Sequence, residues 1–184
     1  MTDKVSFLSG EKVYLRPVEE SDLERCHAWI NDPDIRRWVL SWRPWDLVGQ
    51  RKWWENHNRS GSGPGNLHFA ICLHDGDRHI GNTSIHQINW IHRSGSTGTL
   101  IGEKDCWGKG YATEAKRLLV HFAFEEMNLV RLDSNVVAGN EASIRHLLSA
   151  GYLLEGTRRK ALYIRGQWED DLLFGLLRED WRNR

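Results

Sequence analysis

The sequence TGTLIGEKDCWGKGYATEAKRLLVHFAF, residues 97–124, decides the fold. Its first six residues predict a strand, and a turn with two glycines follows at residues 106–111. From Tyr111 to Phe122 the apolar residues recur at helical spacing, which predicts a long amphipathic helix. The chain therefore presents a strand, a glycine turn and a helix in direct succession.

The glycine turn is a candidate anion site. Because a helix begins directly after it, unpaired backbone N–H groups and the positive end of the helix dipole meet there, which suits a phosphate or pyrophosphate. Gly108 and Gly110 allow a ligand to approach the backbone closely. A dinucleotide fingerprint is excluded by Thr113, and a P-loop is excluded because Lys109 is not followed by serine or threonine. A purely structural turn remains the alternative.

Outward from this stretch, the pattern predicts further strands and helices. Strands are predicted at 12–17, 67–73, 79–88, 129–137, 152–164 and 168–177. Helices are predicted from Ser21 to about Ile30, from about Leu47 to Asn58 and from Asn140 to Ala150, and a loop is predicted at Ser60–Gly65. Because the strands that flank the long helix must be joined by a crossover, the sheet is expected to be mixed.

Length and composition favour one globular domain, residues 1–184. The chain has 184 residues, of which 40% are hydrophobic and 27% charged, and it contains no apolar run long enough for a membrane span. Its first residues lack a signal-peptide pattern, so we expect a cytoplasmic protein that does not bind a membrane. Lysine plus arginine and aspartate plus glutamate number 25 each, and without a basic excess we expect no nucleic-acid partner.

The cysteines and histidines do not predict a metal site. Cys26, Cys72 and Cys106 form no CxxC pair, and their odd number argues against a disulfide framework. The nine histidines show no metal-ligand spacing. We therefore expect no metal.

Four blocks of sequence give the chain a resemblance to a known family. They are VYLRPVEESDLE at 13–24, IGEKDCWGKGYATEAKRLLVHFAF at 101–124, NVVAGNEASIRHLLSAGY at 135–152 and YIRGQWEDDLLFGLLREDW at 163–181. In this order they resemble the GNAT acetyltransferases, and specifically the branch that contains the ribosomal-protein N-terminal acetyltransferases. The resemblance implies an α+β fold with a central mixed sheet of six to seven strands flanked by about four helices. It also implies acetyl-CoA as co-substrate and transfer of an acetyl group to a primary amine.

The resemblance also implies which residues hold acetyl-CoA. The diphosphate is expected on the glycine turn and the first residues of the helix: Trp107, Gly108, Lys109, Gly110, Tyr111, Ala112 and Thr113. The pantetheine arm is expected between two strands that splay apart, against Leu100, Ile101, Gly102, Asn140 and Ser143. Asp105 departs from the family pattern, which has glutamine or arginine there. Because an aspartate repels a pyrophosphate, we expect Asp105 to point outward or to cap the helix.

The resemblance leaves the proton chemistry partly open. The family's usual tyrosine acid is replaced by Leu147, whereas Ser143 matches a serine that similar ribosomal-protein acetyltransferases use, so Ser143 is the predicted catalytic residue. Its alternative is a serine bonded to its own helix. His86 and water are the candidate general bases, with a structural histidine as the alternative. Glu103 is ambiguous, and Cys106 is interpreted as a bystander.

The acceptor is left as either a protein N-terminus or a small-molecule amine. Part of a tryptophan cluster is expected to border the acceptor cleft, with a local aromatic core as the alternative; its members are Trp38, Trp42, Trp45, Trp53 and Trp54. The aromatic content also leaves a homodimer open. The absence of the tyrosine and the presence of Asp105 motivate one alternative that is not an enzyme: a catalytically silent acyl-CoA-binding or regulatory module.

Overall fold

The computed structural model describes residues 5–41, 43–58 and 66–183. Within them lies an eight-stranded sheet with the spatial order β1-β2-β3-β4-β5-β6-β8-β7. The strands are β1 (Leu8–Ser9), β2 (Val13–Pro17), β3 (Leu67–Leu73), β4 (His79–Asn89), β5 (Ser94–Ile101), β6 (Arg131–Val137), β7 (Leu153–Ile164) and β8 (Gln167–Leu177). The predicted loop at Ser60–Gly65 and Trp42 lie outside the described residues.

Six α-helices accompany the sheet in the described part of the chain. They are α1 (Leu23–Asn31), α2 (Pro33–Arg36), α3 (Leu47–Asn58), α4 (Tyr111–His121), α5 (Glu141–Ala150) and α6 (Arg178–Arg182). A π-helical turn, Phe122–Glu126, extends α4. The predicted fold class is therefore confirmed, with slightly more elements than expected. The additional strand β1 has two residues and the additional helices α2 and α6 have four and five, which is too short for a periodic pattern.

Helix α2 begins where the sequence contains a helix breaker. The side chain of Asp32 accepts a hydrogen bond from the backbone N–H of Asp34 at 2.8 Å, and Pro33 occupies the first turn. Aspartate at the N-cap and proline directly after it start a helix as readily as they end one. The Asn-Asp-Pro segment thus ends α1 and begins α2.

The sheet is mixed, as predicted from the crossover. Strands β5 and β6 are parallel, and the other neighbouring pairs are antiparallel. Helix α4 lies in the connection between β5 and β6. A parallel neighbour requires such a crossover, whereas an antiparallel one needs only a hairpin. The glycine turn therefore lies between the end of β5 and the start of α4.

The two faces of β5 contact different parts of the molecule. Ile101 packs against the main core, which contains the α4 residues Ala115 and Leu119. Leu100 points the other way and packs against a small cluster that includes Trp29 of α1. We call these sides of the sheet the α4 face and the α1 face.

Candidate active site

The central feature of the site is a fork between two parallel strands. The ladder between β5 and β6 ends after three residue pairs, the last of which joins Ser96 to Asp133. Next to this point two side chains tie the strands together: the Thr97 hydroxyl donates to the Asp133 carbonyl at 3.2 Å, and the Ser134 hydroxyl donates to the Thr97 carbonyl at 3.0 Å. Beyond Thr97, β5 continues to Ile101 without pairing to β6. A ligand can therefore enter between the strands.

Alternating residues of β5 direct their backbone groups into the fork. The Gly102 N–H donates to the Ile80 carbonyl of β4 at 2.9 Å, so Leu100 and Gly102 direct their backbone groups toward β4. Thr99 and Ile101 therefore direct theirs away from β4, toward the fork. The indole N–H of Trp107 donates to the Ile101 carbonyl at 2.8 Å. Of the three predicted pantetheine contacts, Leu100 and Ile101 line the cleft, and Ile101 also directs its backbone groups toward the fork. Gly102 does not line the cleft; its lack of a side chain leaves room for the ring of Trp29.

The glycine turn has the backbone conformation that the sequence predicts. Gly108 has φ = 74° and Gly110 has φ = 85°, and Gly110 immediately precedes α4. These angles favour glycine. A Cβ atom on Gly108 meets nothing within 4 Å, and one on Gly110 lies 4.0 Å from the Nζ atom of Lys12. The turn therefore presents open backbone next to a lysine that the sequence analysis did not identify.

Asp105 is directed away from the helix and toward Arg78. The two Arg78 side-chain nitrogens lie 2.8 Å and 2.9 Å from the two carboxylate oxygens. Hydrogen bonding from Arg78 lowers the pKa of Asp105. Arg78 also pairs with Glu103, which in addition accepts a hydrogen bond from Trp29 Nε1 at 3.0 Å. Asp105 and Glu103 therefore belong to an ion-pair network beside the turn. Arg78, their common partner, is 25 or more residues away from both in sequence.

Helix α5 closes the other side of the fork. The Asn140 side chain accepts a hydrogen bond from the Ser143 backbone N–H at 3.2 Å and so caps the helix. The Ser143 hydroxyl lines the cleft and has no hydrogen-bond partner among the described residues, so it is not bonded to its own helix. Leu147 is buried in the main core. The helix therefore presents a free hydroxyl, and a core leucine occupies the position of the family tyrosine.

A cleft of about 1130 Å³ connects these features. Most of the predicted site residues line it: Leu100, Ile101, Trp107, Gly108, Gly110, Tyr111, Ala112, Thr113, Asn140 and Ser143. Gly102 and Lys109 do not line it. On the α1 face the cleft is walled by Trp38, Trp45, Trp53, Gln50, His68 and His86. The fork thus opens to both faces of the sheet.

The tryptophan cluster is divided between the cleft and the core. Trp53 lines the cleft and its ring lies edge-on to His68, with centroids 4.9 Å apart. Trp54, its neighbour on α3, donates its indole N–H to the Val18 carbonyl at 2.9 Å and packs against a buried cluster that contains Tyr14. Trp53 therefore borders the cleft, whereas Trp54 belongs to a local core.

Two of the ionisable groups that line the cleft, His86 and Lys116, lie on opposite sides of the fork. His86 lies on the α1 face, and burial, followed by the charge of Lys116, lowers its pKa. Lys116 of α4 is 1% exposed, and burial lowers its pKa to about 7. Sequence analysis missed Lys116 because a lysine in an amphipathic helix is expected to face solvent. The Cys106 thiol is buried with a raised pKa, which agrees with its interpretation as a bystander.

A model of the acetyltransferase (GNAT) domain family matches residues 12–153 of this chain. The chain belongs to the GNAT acetyltransferase family. It is an N-acetyltransferase that uses acetyl-CoA as co-substrate and transfers the acetyl group to an amine.

Several curated relatives of this GNAT protein are similar over nearly their whole length. The chain is 34% identical to the probable N-acetyltransferase YjcK of Bacillus subtilis (strain 168), over 94% of this chain and 98% of the relative. It is 29% identical to the putative ribosomal N-acetyltransferase YdaF of the same organism, over 94% of both chains. It is 28% identical to the spermidine N(1)-acetyltransferase of Escherichia coli (strain K12), over 88% and 84%.

A solved structure shows the same fold. The spermidine N-acetyltransferase of Vibrio cholerae in complex with CoA and spermine superposes with a TM-score of 0.85 at 21% identity, over 95% of this chain and 100% of the other. At this identity the similarity concerns the fold alone.

No helix among the described residues is long and apolar enough to cross a membrane. In the same residues, no group of three or more histidine, cysteine or acidic side chains is arranged to hold a metal ion.

Proposed function

We propose that acetyl-CoA binds along the fork, with its diphosphate on the turn 106–111 and its pantetheine arm between β5 and β6. The observation that carries this proposal is the end of the β5–β6 ladder after three residue pairs. It leaves the backbone groups of Thr99 and the N–H of Ile101 available to pair with the amides of the arm. Gly108, Gly110 and the start of α4 supply N–H groups and a positive dipole for the phosphates.

We propose direct attack of the amine on the thioester, without a covalent enzyme intermediate. The acceptor approaches from the α1 face, where the cleft is open, while the cofactor occupies the side of α4 and α5. The amine must be neutral to attack, so a base on the acceptor side helps. His86 lies on that side with a lowered pKa and is therefore neutral at pH 7, which suits a base acting directly or through water.

We propose that the acceptor is the α-amino group of a peptide or protein. The lining on the α1 face includes tryptophan, histidine, glutamine, small polar residues and aliphatic residues, and no carboxylate lines the cleft among the described residues. A polyamine is a multiple cation, and its recognition requires anionic partners. A peptide N-terminus instead offers backbone amides and an apolar first side chain to such a wall. The likeness to YdaF favours this class, whereas the likeness to the E. coli enzyme favours spermidine.

A thiol-release assay with acetyl-CoA and a panel of acceptors tests the acceptor proposal. Short peptides with a free N-terminus should give a higher kcat/KM than spermidine, and the same peptides with a blocked N-terminus should give no release above the acceptor-free rate. A higher kcat/KM for spermidine would contradict the peptide proposal. Equal thiol release with and without each acceptor would instead favour the silent acyl-CoA-binding module.

Ser143 is proposed to donate a proton or a hydrogen bond to the CoA sulfur as the tetrahedral intermediate collapses. Its hydroxyl lines the cleft without a partner in the described part of the chain. Ser143→Ala should lower kcat by about 10²-fold, because general acid catalysis contributes at least this much. The Kd for acetyl-CoA should change little, since the interaction strengthens mainly in the transition state. If wild type and Ser143→Ala have the same kcat under conditions where chemistry limits turnover, Ser143 has only a structural role.

The two neighbouring tryptophans of α3 form a matched pair for testing the acceptor wall. Trp53→Ala should raise the acceptor KM several-fold with little change in Tm, because Trp53 lines the cleft. Trp54→Ala should lower Tm and leave the acceptor KM nearly unchanged, because Trp54 packs on the sheet and bonds to Val18. The reverse result, with the KM effect at Trp54, would place the acceptor elsewhere.

Three further properties complete the proposal. We propose that residues 1–184 act as one N-acetyltransferase domain. We also propose that the enzyme is cytoplasmic, and its three free, buried thiols support this location.

A homodimer is supported by exposed aromatics on the β7–β8 hairpin, where the rings of Tyr163 and Trp168 lie 5.2 Å apart. Sedimentation equilibrium decides between monomer and dimer.

A further inference from the structure

Lys116 is a buried amine without a counter-charge. It is 1% exposed, and among the described residues no carboxylate pairs with it and no group accepts a hydrogen bond from its Nζ atom. Its ammonium instead lies 5.8 Å from the ring centroid of Tyr152. An uncompensated amine in a protein interior is costly, and such groups concentrate at functional sites. Lys116 also belongs to the lining of the cleft.

The position of Lys116 places its amine beneath the closed end of the fork. The Tyr152 hydroxyl lies 2.8 Å from Thr97 Oγ1, at the point where β5 leaves β6. Helix α4 runs back from the glycine turn, and five residues from Tyr111 to Lys116 correspond to about 7.5 Å of helix. A pantetheine arm that starts at the turn and follows the fork therefore brings its sulfur toward Lys116.

We propose that Lys116 is the general acid that protonates the departing CoA thiolate. This inference rests on the proposed function, because it requires the thioester to lie at the closed end of the fork. Lys116 lies on the α4 face and His86 on the α1 face, so acid and base stand on opposite sides of the reacting carbonyl. Enzymes that need both an acid and a base at neutral pH hold two groups in environments that separate their pKa values.

The ionisable groups around Lys116 agree with this role. His146 of α5 and His86 of β4 lie close enough to feel its charge, and the ring of Tyr152 lies next to it. Burial, followed by the charge of Lys116, lowers the pKa of His146 to about 3, so this imidazole is neutral. Burial raises the pKa of Tyr152, which is neutral as well. With its pKa of about 7, Lys116 is the described group facing this end of the fork that carries a transferable proton near neutral pH.

The step balances in atoms and charge. The acceptor nitrogen forms the new C–N bond and loses one proton to His86 or water. The C–S bond then breaks, its electron pair stays on sulfur, and one Nζ–H proton of Lys116 passes to the thiolate, directly or through the Ser143 hydroxyl. Lys116 is left as a neutral amine and regains a proton from solvent when CoA leaves. The net reaction is acetyl-CoA plus amine to amide plus CoA.

The thiol pKa of bound CoA tests this placement without any acceptor. The ultraviolet absorbance of the thiolate is titrated with pH for CoA bound to wild type, Lys116→Met and Lys52→Met; Lys52 is an exposed lysine of α3 outside the cleft. An ammonium beside the sulfur favours the thiolate, and the thiolate in turn keeps the amine protonated, so the two groups titrate as a coupled pair. The thiolate should therefore appear about one pH unit or more lower in wild type and Lys52→Met than in Lys116→Met. The same thiol pKa in wild type and Lys116→Met overturns the proposal, and so does a wild type that does not bind CoA.

The pH profile of kcat provides the catalytic readout. Wild-type kcat should fall as the pH rises through the pKa of the acid, because the neutral amine has no proton to give. Lys116→Met should lose this alkaline limb and have a kcat about 10²-fold lower, with an unchanged Kd for acetyl-CoA. A kcat within threefold of wild type, or an intact alkaline limb, contradicts the proposal. If the thiol pKa differs between wild type and Lys116→Met but no amine is acetylated, the proposed function is refuted. The position of Lys116 next to the sulfur is then still supported.

The fold should survive the substitution. Methionine is apolar and similar in length, and it removes an uncompensated amine from the interior, so the Tm of Lys116→Met should not fall below that of wild type. Should it fall, Lys116→Gln, which is polar but cannot titrate, takes its place in both measurements with the same expected results.

Discussion

Gly110→Glu should weaken acetyl-CoA binding by about 10³-fold while the protein remains folded. A residue other than glycine at φ = 85° costs about 1–2 kcal/mol, which displaces the turn from its present geometry. The new carboxylate also faces the diphosphate and repels it, and the displaced N–H groups lose charge-assisted hydrogen bonds. Together these effects amount to about 4 kcal/mol, which corresponds to the stated factor. Isothermal titration calorimetry with acetyl-CoA measures it.

Gly166→Glu is the matched control for this variant. Gly166 lies in the β7–β8 turn with φ = 84°, and a Cβ atom there meets nothing within 4 Å. The backbone strain is therefore similar, but no phosphate site is involved. Gly166→Glu should bind acetyl-CoA like wild type. If Gly110→Glu binds acetyl-CoA with an affinity within threefold of this control, the diphosphate does not bind at the turn.

Asp22→Ala should destabilise the protein by about 3–5 kcal/mol. Asp22 and Arg16 form a buried ion pair in which the guanidinium nitrogens lie 2.6 Å and 2.8 Å from the carboxylate oxygens. Removing the carboxylate leaves the Arg16 charge buried without a partner, and the N–H of Glu19 loses its acceptor. For a chain of this length, thermal unfolding should show a fall in Tm of about 6–20 °C.

Glu20→Ala is the corresponding control, because Glu20 pairs with Arg51 at an exposed site. Its cost should be no more than about 1 kcal/mol. A similar Tm loss in both variants would contradict the argument from burial.

The Asp22 pair also predicts how stability depends on pH. Burial alone raises the pKa of this carboxyl, but hydrogen bonds from Arg16 and His79 outweigh burial and leave it well below its usual value. A carboxyl whose folded pKa is lowered contributes stability above its unfolded pKa of about 3.9, and this contribution is lost as the pH falls. The difference in unfolding free energy between wild type and Asp22→Ala should therefore shrink below about pH 4.

The strands and helices next to the glycine turn could be predicted from sequence because their signals are local. The helix predicted from Asn140 has the cap that the asparagine indicates, and the turn has glycine at both positions with positive φ. The π-helical turn after His121 was not predicted, since the same apolar spacing fits an α-helix.

The parts of the site that sequence could not predict depend on residues distant along the chain. Arg78, which directly precedes β4, neutralises Asp105, and no local pattern connects the two. Lys116 has an ordinary position in an amphipathic helix, and its burial results from the packing of α4 against the sheet and α5. The division of Trp53 and Trp54 between cleft and core likewise requires the position of α3 on the sheet.

The central claim is that acetyl-CoA lies in the fork between β5 and β6 with its diphosphate on the glycine turn. A crystal structure of the protein with bound CoA tests it most directly. We expect diphosphate oxygens within hydrogen-bonding distance of backbone N–H groups in residues 108–111 and pantetheine amides paired with Thr99 or Ile101. A diphosphate bound away from this turn, or an arm that lies outside the fork, would contradict it.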